Sequence, residues 1–252
     1  MRSLQKRYQR GLIPFTACRA DPRFSYCLYV PNQHHEPFQS AAPLLVVVHG
    51  SARTAESFRD AFIEFAEQHG CVVLAPLFPV GAVLDGDTDG YKLQPPLGYR
   101  YDHLLLSMVE EVSVRFHTEQ DFYLYGFSGG AQFAHRFLYL HPQRLKGTLV
   151  HAPGQVSMPL ECGGAVDIQA LQQVPVQLVV GSRDVGSGSL EVNRRALLRG
   201  LHTALKDLEV PVQWVEVEGA GHDGFALMPV GQRFLAELLQ SRMIEAQANV
   251  LM

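Results

Sequence analysis

A serine lies in a glycine-rich turn between two regular segments of the chain. Residues 126–130 read Gly-Phe-Ser-Gly-Gly, follow an apolar run and precede a helix-like stretch at residues 131–141. This is the G-x-S-x-G pattern, which at a strand-to-helix turn forces the serine into a strained, exposed conformation. Gly126 and Gly130 lack the side chains that would clash where the two backbones come close together. The pattern predicts that Ser128 is a nucleophile, whereas outside such a context it indicates only an ordinary turn.

A nucleophilic serine needs a base within hydrogen-bond reach, and the base needs a carboxylate to orient it. On a parallel sheet the expected chain order is serine, then aspartate or glutamate, then histidine. Asp184 directly follows an apolar run and a glycine turn, and His222 lies in a glycine-rich loop after the last predicted strand. We therefore predict Asp184 as the orienting acid and His222 as the base, although an aspartate at such a place can also cap a turn. The weaker aspartate candidates are Asp167, Asp207 and Asp223.

Attack on a carbonyl creates an oxyanion, which needs backbone N–H donors fixed in advance. One donor should be the amide of Gly129, because it follows the nucleophile at a helix start, where the helix dipole favours negative charge. The second should come from the loop that begins His49-Gly50 after an apolar strand. We predict the Ser51 amide for this role, with Ala52 as the alternative. His49 is predicted to shape the loop rather than to transfer protons.

Strand-like and helix-like segments alternate along the chain, which predicts an α/β fold with a mostly parallel central sheet and helices on both faces. We expect one domain over residues 1–252, with residues 1–20 as an N-terminal extension and no large cap domain. The predicted strands are residues 24–30, 44–48, 71–75, 122–125, 147–151, 176–180 and 212–217. The predicted helices are a segment capped by Thr54 and ended by Gly70, then residues 101–116, 131–141, 190–208 and 225–241.

Two segments rich in Gly, Pro and Asp follow strands at what should be the carboxyl edge of the sheet, at residues 78–98 and 152–175. Open α/β sheets bind ligands at this edge, so both segments are predicted walls of a substrate pocket. Apolar side chains near the predicted site could line that pocket, although each could equally be a core residue. They are Phe78, Tyr91, Tyr99, Val185 and Phe225.

With these motifs in this order, the chain resembles the α/β-hydrolases, and the resemblance runs from about residue 24 to residue 239. Within that superfamily it is most similar to bacterial esterases of the polyhydroxybutyrate-depolymerase-like and dienelactone-hydrolase-like kind. The resemblance implies the α/β-hydrolase fold, with a central sheet of about eight strands, and a cofactor-independent serine hydrolase. The chain departs from dienelactone hydrolases in carrying Ser128 where they carry cysteine, and we find no signal peptide like that of secreted polymer depolymerases.

The composition argues against several other classes of protein. A net charge of −4 gives no electrostatic footprint for nucleic acid or an anionic membrane surface, and no apolar run approaches the ~20 residues that span a bilayer. Residues 1–10 are basic, but the apolar stretch after them is too short for a secretory signal. Cys27 and Cys71 fall in strand-like runs and are predicted to be buried thiols, while a Cys18–Cys162 disulfide stays open. We favour reduced thiols and a cytoplasmic location.

No metal or cofactor is predicted. Asp85, Asp87 and Asp89 copy the first half of an EF-hand calcium loop, but Pro96 stands where the loop needs a bidentate glutamate. We interpret this segment as a solvated acidic loop. Arg53, just beyond the predicted oxyanion loop, could bind an anionic group of a substrate or could simply be a surface arginine at a helix start.

The expected reaction is hydrolysis of a carboxylic ester in a small molecule, through an acyl-enzyme on Ser128. The same three residues would also serve a thioesterase, a peptidase or an acyltransferase, because the serine chemistry is shared. A catalytically silent binding protein on a hydrolase scaffold is the alternative from another class, since a fold does not guarantee a function. The natural substrate and the oligomeric state stay open.

Overall fold

The computed structural model describes residues 9–32, 41–93, 98–159, 166–185 and 192–250, without the side chains of residues 243 and 245–250. Within these residues eight strands form one sheet in the order β1-β2-β4-β3-β5-β6-β7-β8. The first four strands are β1 (Gly11–Ala17), β2 (Ser25–Val30), β3 (Leu44–Val48) and β4 (Val72–Leu77). The others are β5 (Phe122–Phe127), β6 (Leu145–His151), β7 (Val176–Gly181) and β8 (Val212–Val217).

The sheet is mostly parallel, as the alternation of elements predicts. Pairing is antiparallel between β1 and β2 and between β2 and β4. Every pairing from β4 through β3, β5, β6 and β7 to β8 is parallel. The carboxyl ends of these parallel strands therefore meet at one edge, where the loops that carry chemistry begin.

Helices cover both faces of the sheet and divide the core into two clusters. The helices are α1 (Ala55–Asp60), α2 (Ile63–His69), α3 (Gly90–Leu93), α4 (Tyr101–Phe116), α5 (Gly129–Leu140), α6 (Ile168–Leu171), α7 (Arg194–Asp207) and α8 (Gly224–Val250), with a 3-10 turn at Pro142–Arg144. Side chains of α4, α5 and α7 pack on one face with Val46, and those of α1, α2 and α8 pack on the other with Leu45 and Val47. Neighbouring residues of β3 thus point to opposite clusters, which explains its continuous apolar sequence.

The N-terminal region contains a strand that the sequence did not predict. Residues 11–17, assigned to the N-terminal extension, form edge strand β1, with a bulge between Ile13 and Thr16. Ile13 is buried while Leu12 and Phe15 are exposed. The bulge breaks the two-residue alternation that normally identifies a half-buried strand.

Four helices differ from their predicted bounds, and one of them, predicted over residues 131–141, is α5 at Gly129–Leu140. The segment between Thr54 and Gly70 is divided into α1 and α2, and the Thr54 side chain makes no capping hydrogen bond. Gly70 ends α2 in the left-handed conformation with φ of 63°. Helix α7 begins at Arg194, because Asn193 caps it by accepting the Ala196 amide at 2.9 Å. Helix α8 continues beyond residue 241 to residue 250.

Three of the four cysteines are buried free thiols, namely Cys18, Cys27 and Cys71. Burial raises the pKa of the Cys27 thiol to about 12 and that of Cys71 to about 12, so neither is a reactive thiolate at neutral pH. Cys162 lies outside the described residues. Among those residues, we find no helix with the length and apolar character needed to cross a bilayer.

Candidate active site

Ser128 lies at a sharp turn between β5 and α5, with φ of 54° and ψ of −113°, a conformation that non-glycine residues rarely adopt. Close backbone packing maintains it. A Cβ atom on Gly126 would collide with the carbonyl of Gly130, and one on Gly130 would collide with the carbonyl of Val48. The Ser128 amide donates a hydrogen bond to the His151 carbonyl at 2.9 Å, which ties the turn to β6.

The structure brings the three predicted polar side chains together at the carboxyl edge of the sheet. The distance from Ser128 Oγ to His222 Nε2 is 3.0 Å, and that from His222 Nδ1 to Asp184 Oδ2 is 2.8 Å. Nδ1–H therefore donates to the carboxylate, which leaves Nε2 free to accept the hydroxyl proton. The Asp184 side chain is 3% exposed and that of His222 is 32% exposed, so the acid is shielded while the base reaches solvent.

The loops that carry Asp184 and His222 are joined by their backbones. Gly181 ends β7 so close to the His222 loop that a Cβ atom there would collide with the Ala220 carbonyl. The Arg183 amide donates to that same carbonyl at 2.9 Å. On its other side, the His222 ring lies 4.7 Å from the ring of Phe127, measured between centroids. These contacts restrict the orientation of the imidazole.

Asp184 has a second partner, Arg194, which the sequence did not single out. Arg194 Nη1 donates to Asp184 Oδ1 at 3.0 Å, on the oxygen that His222 does not use. Burial disfavours the charged carboxylate, but the hydrogen bond from His222 and the nearby positive charges outweigh it, so the pKa of Asp184 lies below its usual value. Asp184 is therefore ionised at neutral pH.

His49 has a structural position in the loop after β3, as predicted. Its Nδ1 lies 2.8 Å from the Gly50 carbonyl and its Nε2 accepts the Phe78 amide at 3.1 Å, so Nδ1 carries the proton. Burial lowers the pKa of His49 to about 4, which keeps the ring neutral. It joins the predicted oxyanion loop to the chain after β4.

Arg53 also supports this loop. Its guanidinium donates to the carbonyls of Ser51 at 2.5 Å, Phe78 at 3.2 Å and Thr88 at 2.5 Å. Its backbone has φ of 56°, another strained non-glycine position. These contacts favour a supporting role for Arg53 over the anion-binding role considered from the sequence.

Both predicted oxyanion donors lie beside the turn. Gly129 is the first residue of α5, so its N–H has no acceptor one turn back in the helix. A Cβ atom on Gly129 would collide with the Tyr91 hydroxyl and would lie 3.2 Å from Ser51 Oγ and 3.0 Å from Lys92 Cε. Sequence reasoning missed Lys92, a buried residue that is also paired with Asp89, because its spacing matches no catalytic motif.

The predicted pocket residues occupy different environments. Val185 is 38% exposed and Phe225 is 49% exposed, each close in sequence to a polar residue of the site. Tyr91 is buried beside Gly129 and donates its hydroxyl to the His49 carbonyl at 3.3 Å. Phe78 is wholly buried in an aromatic cluster, so it offers no surface to a ligand. Tyr99 donates its hydroxyl to Asp21 at 2.6 Å and stacks on a neighbouring phenylalanine, which directs it toward the N-terminal strands.

A shallow, open pocket of about 500 Å³ lies between the loop after β6 and the start of α7. Its lining is mainly apolar and comprises Gly154, Gln155, Val156, Val192, Asn193, Ala196 and Leu197. Part of the predicted wall at residues 152–175 therefore lines a cavity. A second pocket of about 720 Å³ lies between α2 and α8, and neither pocket is lined by a residue of the Ser128 site.

The acidic loop uses its carboxylates internally. Asp87 Oδ1 accepts the amides of Asp89 and Gly90 at 2.9 Å each, and Asp89 pairs with Lys92. Among the described residues, one group of side chains could bring three ligand atoms together, namely Asp102, His103 and His141. The carboxylate in that group already accepts a bidentate hydrogen bond from Arg100, at 2.8 and 2.5 Å.

No protein-family model matches the chain, and no curated protein sequence does. Solved structures do match it. A poly(aspartic acid) hydrolase from Sphingomonas sp. KT-1 is 19% identical, with 89% of this chain and 98% of that chain covered and a TM-score of 0.73. A poly(3-hydroxybutyrate) depolymerase from Bordetella parapertussis is 22% identical, with 92% and 94% covered and a TM-score of 0.70.

An S-formylglutathione hydrolase from Agrobacterium tumefaciens is more distant, at 16% identity, with 86% of this chain and 89% of that chain covered and a TM-score of 0.64. At these identities the similarity establishes the architecture, not the reaction. The eight-stranded, mostly parallel sheet with helices on both faces and these structural neighbours define the α/β-hydrolase fold for this chain. The fold implied by the sequence motifs is therefore confirmed.

Proposed function

We propose that the protein is a serine hydrolase that cleaves carboxylic esters of small molecules without a cofactor. The observation that carries this proposal is the continuous hydrogen-bonded chain from Ser128 Oγ through His222 to Asp184, on a strained turn at the carboxyl edge of the sheet. Such strain is costly, and it is found where the surrounding structure enforces a functional geometry.

In the proposed reaction, His222 Nε2 takes the hydroxyl proton while Ser128 Oγ forms a bond to the carbonyl carbon. The carbonyl π electrons move to oxygen, giving a tetrahedral oxyanion. When this collapses, the bond to the alcohol oxygen breaks, and protonated His222 returns its proton to that oxygen. Water then repeats the cycle on the acyl-enzyme and releases the acid, with Asp184 stabilising the transient imidazolium.

Two amides are proposed to bind the oxyanion, those of Gly129 and Ser51. The position of Gly129 at the start of α5 supports its role, because helix N-termini bind anions. The contacts of His49 and Arg53 hold the Ser51 loop and so keep its amide ready before the substrate arrives. Removal of one such donor typically costs about 3–4 kcal/mol of transition-state stabilisation.

The structural neighbours support ester hydrolysis and also related reactions on thioesters and amides. Their descriptions name a poly(3-hydroxybutyrate) depolymerase, an S-formylglutathione hydrolase and a poly(aspartic acid) hydrolase. Thioester, amide and acyl-transfer reactions would use the same three residues, so a panel of activated oxygen esters, thioesters and amides separates them.

A fluorophosphonate probe tests the nucleophile directly. We expect one covalent adduct per chain, found by mass spectrometry on Ser128, and no adduct in the Ser128→Ala variant. Ser107→Ala is a matched control, because the Ser107 hydroxyl only donates to a helix carbonyl in α4 and its loss should leave labelling unchanged. A folded wild-type protein that forms no adduct and hydrolyses no member of the panel would instead support a silent binding protein.

A further inference from the structure

Helix α7 begins with two arginines, which contradicts the usual preference at that position. The N-terminus of a helix carries a partial positive charge, so carboxylates are favoured in the first turn and cations are disfavoured. The first turn of α7 contains Arg194 and Arg195 and no acidic residue. A sequence that breaks a local rule indicates a compensating contact or a function.

Each arginine has its own carboxylate partner on a neighbouring strand end. Arg194 Nη1 lies 3.0 Å from Asp184 Oδ1, whereas Arg195 pairs with Glu216, with its Nε 2.9 Å from Oε2. Glu216 belongs to β8 and makes no hydrogen bond to His222 in this structure. Two adjacent residues of the same type therefore differ in one respect that matters, since only Arg194 contacts the acid of the proposed site.

We propose that Arg194 is a positioning residue that fixes the Asp184 carboxylate for its hydrogen bond to His222 and places a positive charge beside that pair. This inference rests on the proposed function. Arg194 donates to Oδ1 and the His222 ring donates to Oδ2, so each oxygen of the Asp184 carboxylate has its own hydrogen-bond donor. The guanidinium also places a positive charge one carboxylate away from the imidazole, which disfavours a second positive charge there.

The other charged groups nearby cannot substitute for Arg194. Glu216 is shared by Arg195 and Arg199, and Asp223 Oδ1 accepts the amides of Phe225 and Ala226 at the start of α8. Among the described residues, Arg194 is the cation that forms an ion pair with Asp184. On the two loops that carry Asp184 and His222, the other charged residues are Arg183, Glu218 and Asp223.

The test is the pH dependence of Ser128 labelling by a fluorophosphonate, measured as a rate from pH 4.5 to 9. The rate should fall on the acid side as His222 becomes protonated. In Arg194→Gln the midpoint of this fall should move upward by about one pH unit, because a positive charge close to the imidazole is removed. Arg194→Lys keeps the charge and should keep the wild-type midpoint. Arg195→Gln, the matched control, removes a charge from the same helix turn and should leave the midpoint unchanged.

Several outcomes would overturn the inference. One is a midpoint of the acid-side fall in Arg194→Gln that equals or lies below the wild-type midpoint. Another is a shift in Arg195→Gln as large as the shift in Arg194→Gln. An equal shift in Arg194→Lys would also contradict it, because that variant keeps the charge. Arg194→Met, which retains an apolar stem, replaces Arg194→Gln if thermal unfolding shows that the latter does not fold. Failure of the proposed function is distinguishable, since the wild-type protein would then not label at any pH.

Discussion

Two histidine–aspartate pairs among the described residues have a short hydrogen bond and nearly the same local chemistry. In one, His222 Nδ1 lies 2.8 Å from Asp184 Oδ2, and Arg194 binds the other oxygen. In the other, His141 Nε2 lies 2.8 Å from Asp102 Oδ2, and Arg100 binds the same carboxylate. Both aspartates are buried, and the pKa of each is lowered below its usual value by partners that outweigh burial.

The two pairs differ in what they connect. His222 presents its free nitrogen to a serine at the carboxyl edge of the sheet, whereas His141 follows the last turn of α5 and ties it to the first turn of α4. Ser128 precedes α5 and His141 follows it, so about 18 Å of helix separates the pairs. In the Asp102 group, a histidine, an aspartate and an arginine in contact join the ends of two helices. A nucleophile at the far nitrogen is what suits such a group to catalysis.

The same substitution in each pair is expected to have very different effects on activity. Asp184→Asn should lower kcat on an activated ester by about 10³–10⁴-fold, because His222 loses its orientation and the stabilisation of its charged form. Asp102→Asn should leave kcat within about two-fold, because it lies a helix length from Ser128. Steady-state kinetics on both folded variants checks this, and equal losses of activity would contradict the distinction.

The Asp102 pair is expected to matter for stability rather than for activity. Asp102→Ala leaves the half-exposed Arg100 and the His141 side chain without the carboxylate they share, so we expect the free energy of unfolding to fall by about 1.5–3 kcal/mol. Urea denaturation at pH 7 measures this. Ser107→Ala, also on α4, serves as the control and should cost less than about 1 kcal/mol. A loss for Asp102→Ala no larger than the control would mean that the buried pair is not structural.

The backbone contact at Gly181 distinguishes the pairs further. An added methyl in Gly181→Ala would collide with the Ala220 carbonyl and separate the loops that carry Asp184 and His222. We expect kcat/KM to fall by about 100-fold, since displacements of about 1 Å cost that much in positioned catalysis. Gly200→Ala is a suitable control, because there the nearest atom to the new methyl is the Met158 methyl carbon at 3.5 Å. Unchanged kinetics in folded Gly181→Ala would show that the loops tolerate separation.

The smallest expected effect is the contribution of Asp102 to the pH dependence of the unfolding free energy. Burial opposes ionisation of Asp102, but its Arg100 and His141 partners lower its pKa in the folded state. A lowered folded pKa stabilises the protein above the unfolded value of about 3.9 and loses that contribution as pH falls through the folded value. Between pH 4 and 3, the wild type should therefore lose about 1 kcal/mol of unfolding free energy relative to Asp102→Asn. Urea titrations at several pH values measure the difference, and parallel curves would contradict it.

Most of the architecture was predictable because it follows from local patterns. Continuous apolar runs such as β3 predict strands covered on both faces, and α4 was predicted with its observed bounds, residues 101–116. The chain order of Ser128, Asp184 and His222 at strand ends was readable as well, and the structure brings these side chains together. Their catalytic roles stay a proposal, as do the cytoplasmic location and the absence of a cofactor.

What the sequence did not predict depends on contacts between distant segments. In the sequence, nothing distinguishes Arg194 from an arginine on a helix surface. Its contact with Asp184 arises only when the fold brings the two residues together. Phe78 and Phe225 are chemically identical, yet one is buried in the core and the other is 49% exposed, and only the packing of neighbouring loops decides which. Strand β1 escaped prediction because its bulge interrupts the alternation of buried and exposed residues.

The pocket beside α7 has a consequence for laboratory evolution of this enzyme candidate. Its walls come from residues 154–156 and from the beginning of α7, whereas the nucleophile turn depends on Gly126 and Gly130, which tolerate no larger residue. Substitutions at Val156, Ala196 or Leu197 therefore alter the pocket while the backbone turn that carries Ser128 keeps its geometry. Libraries that leave the two glycines untouched should retain a far larger share of working clones.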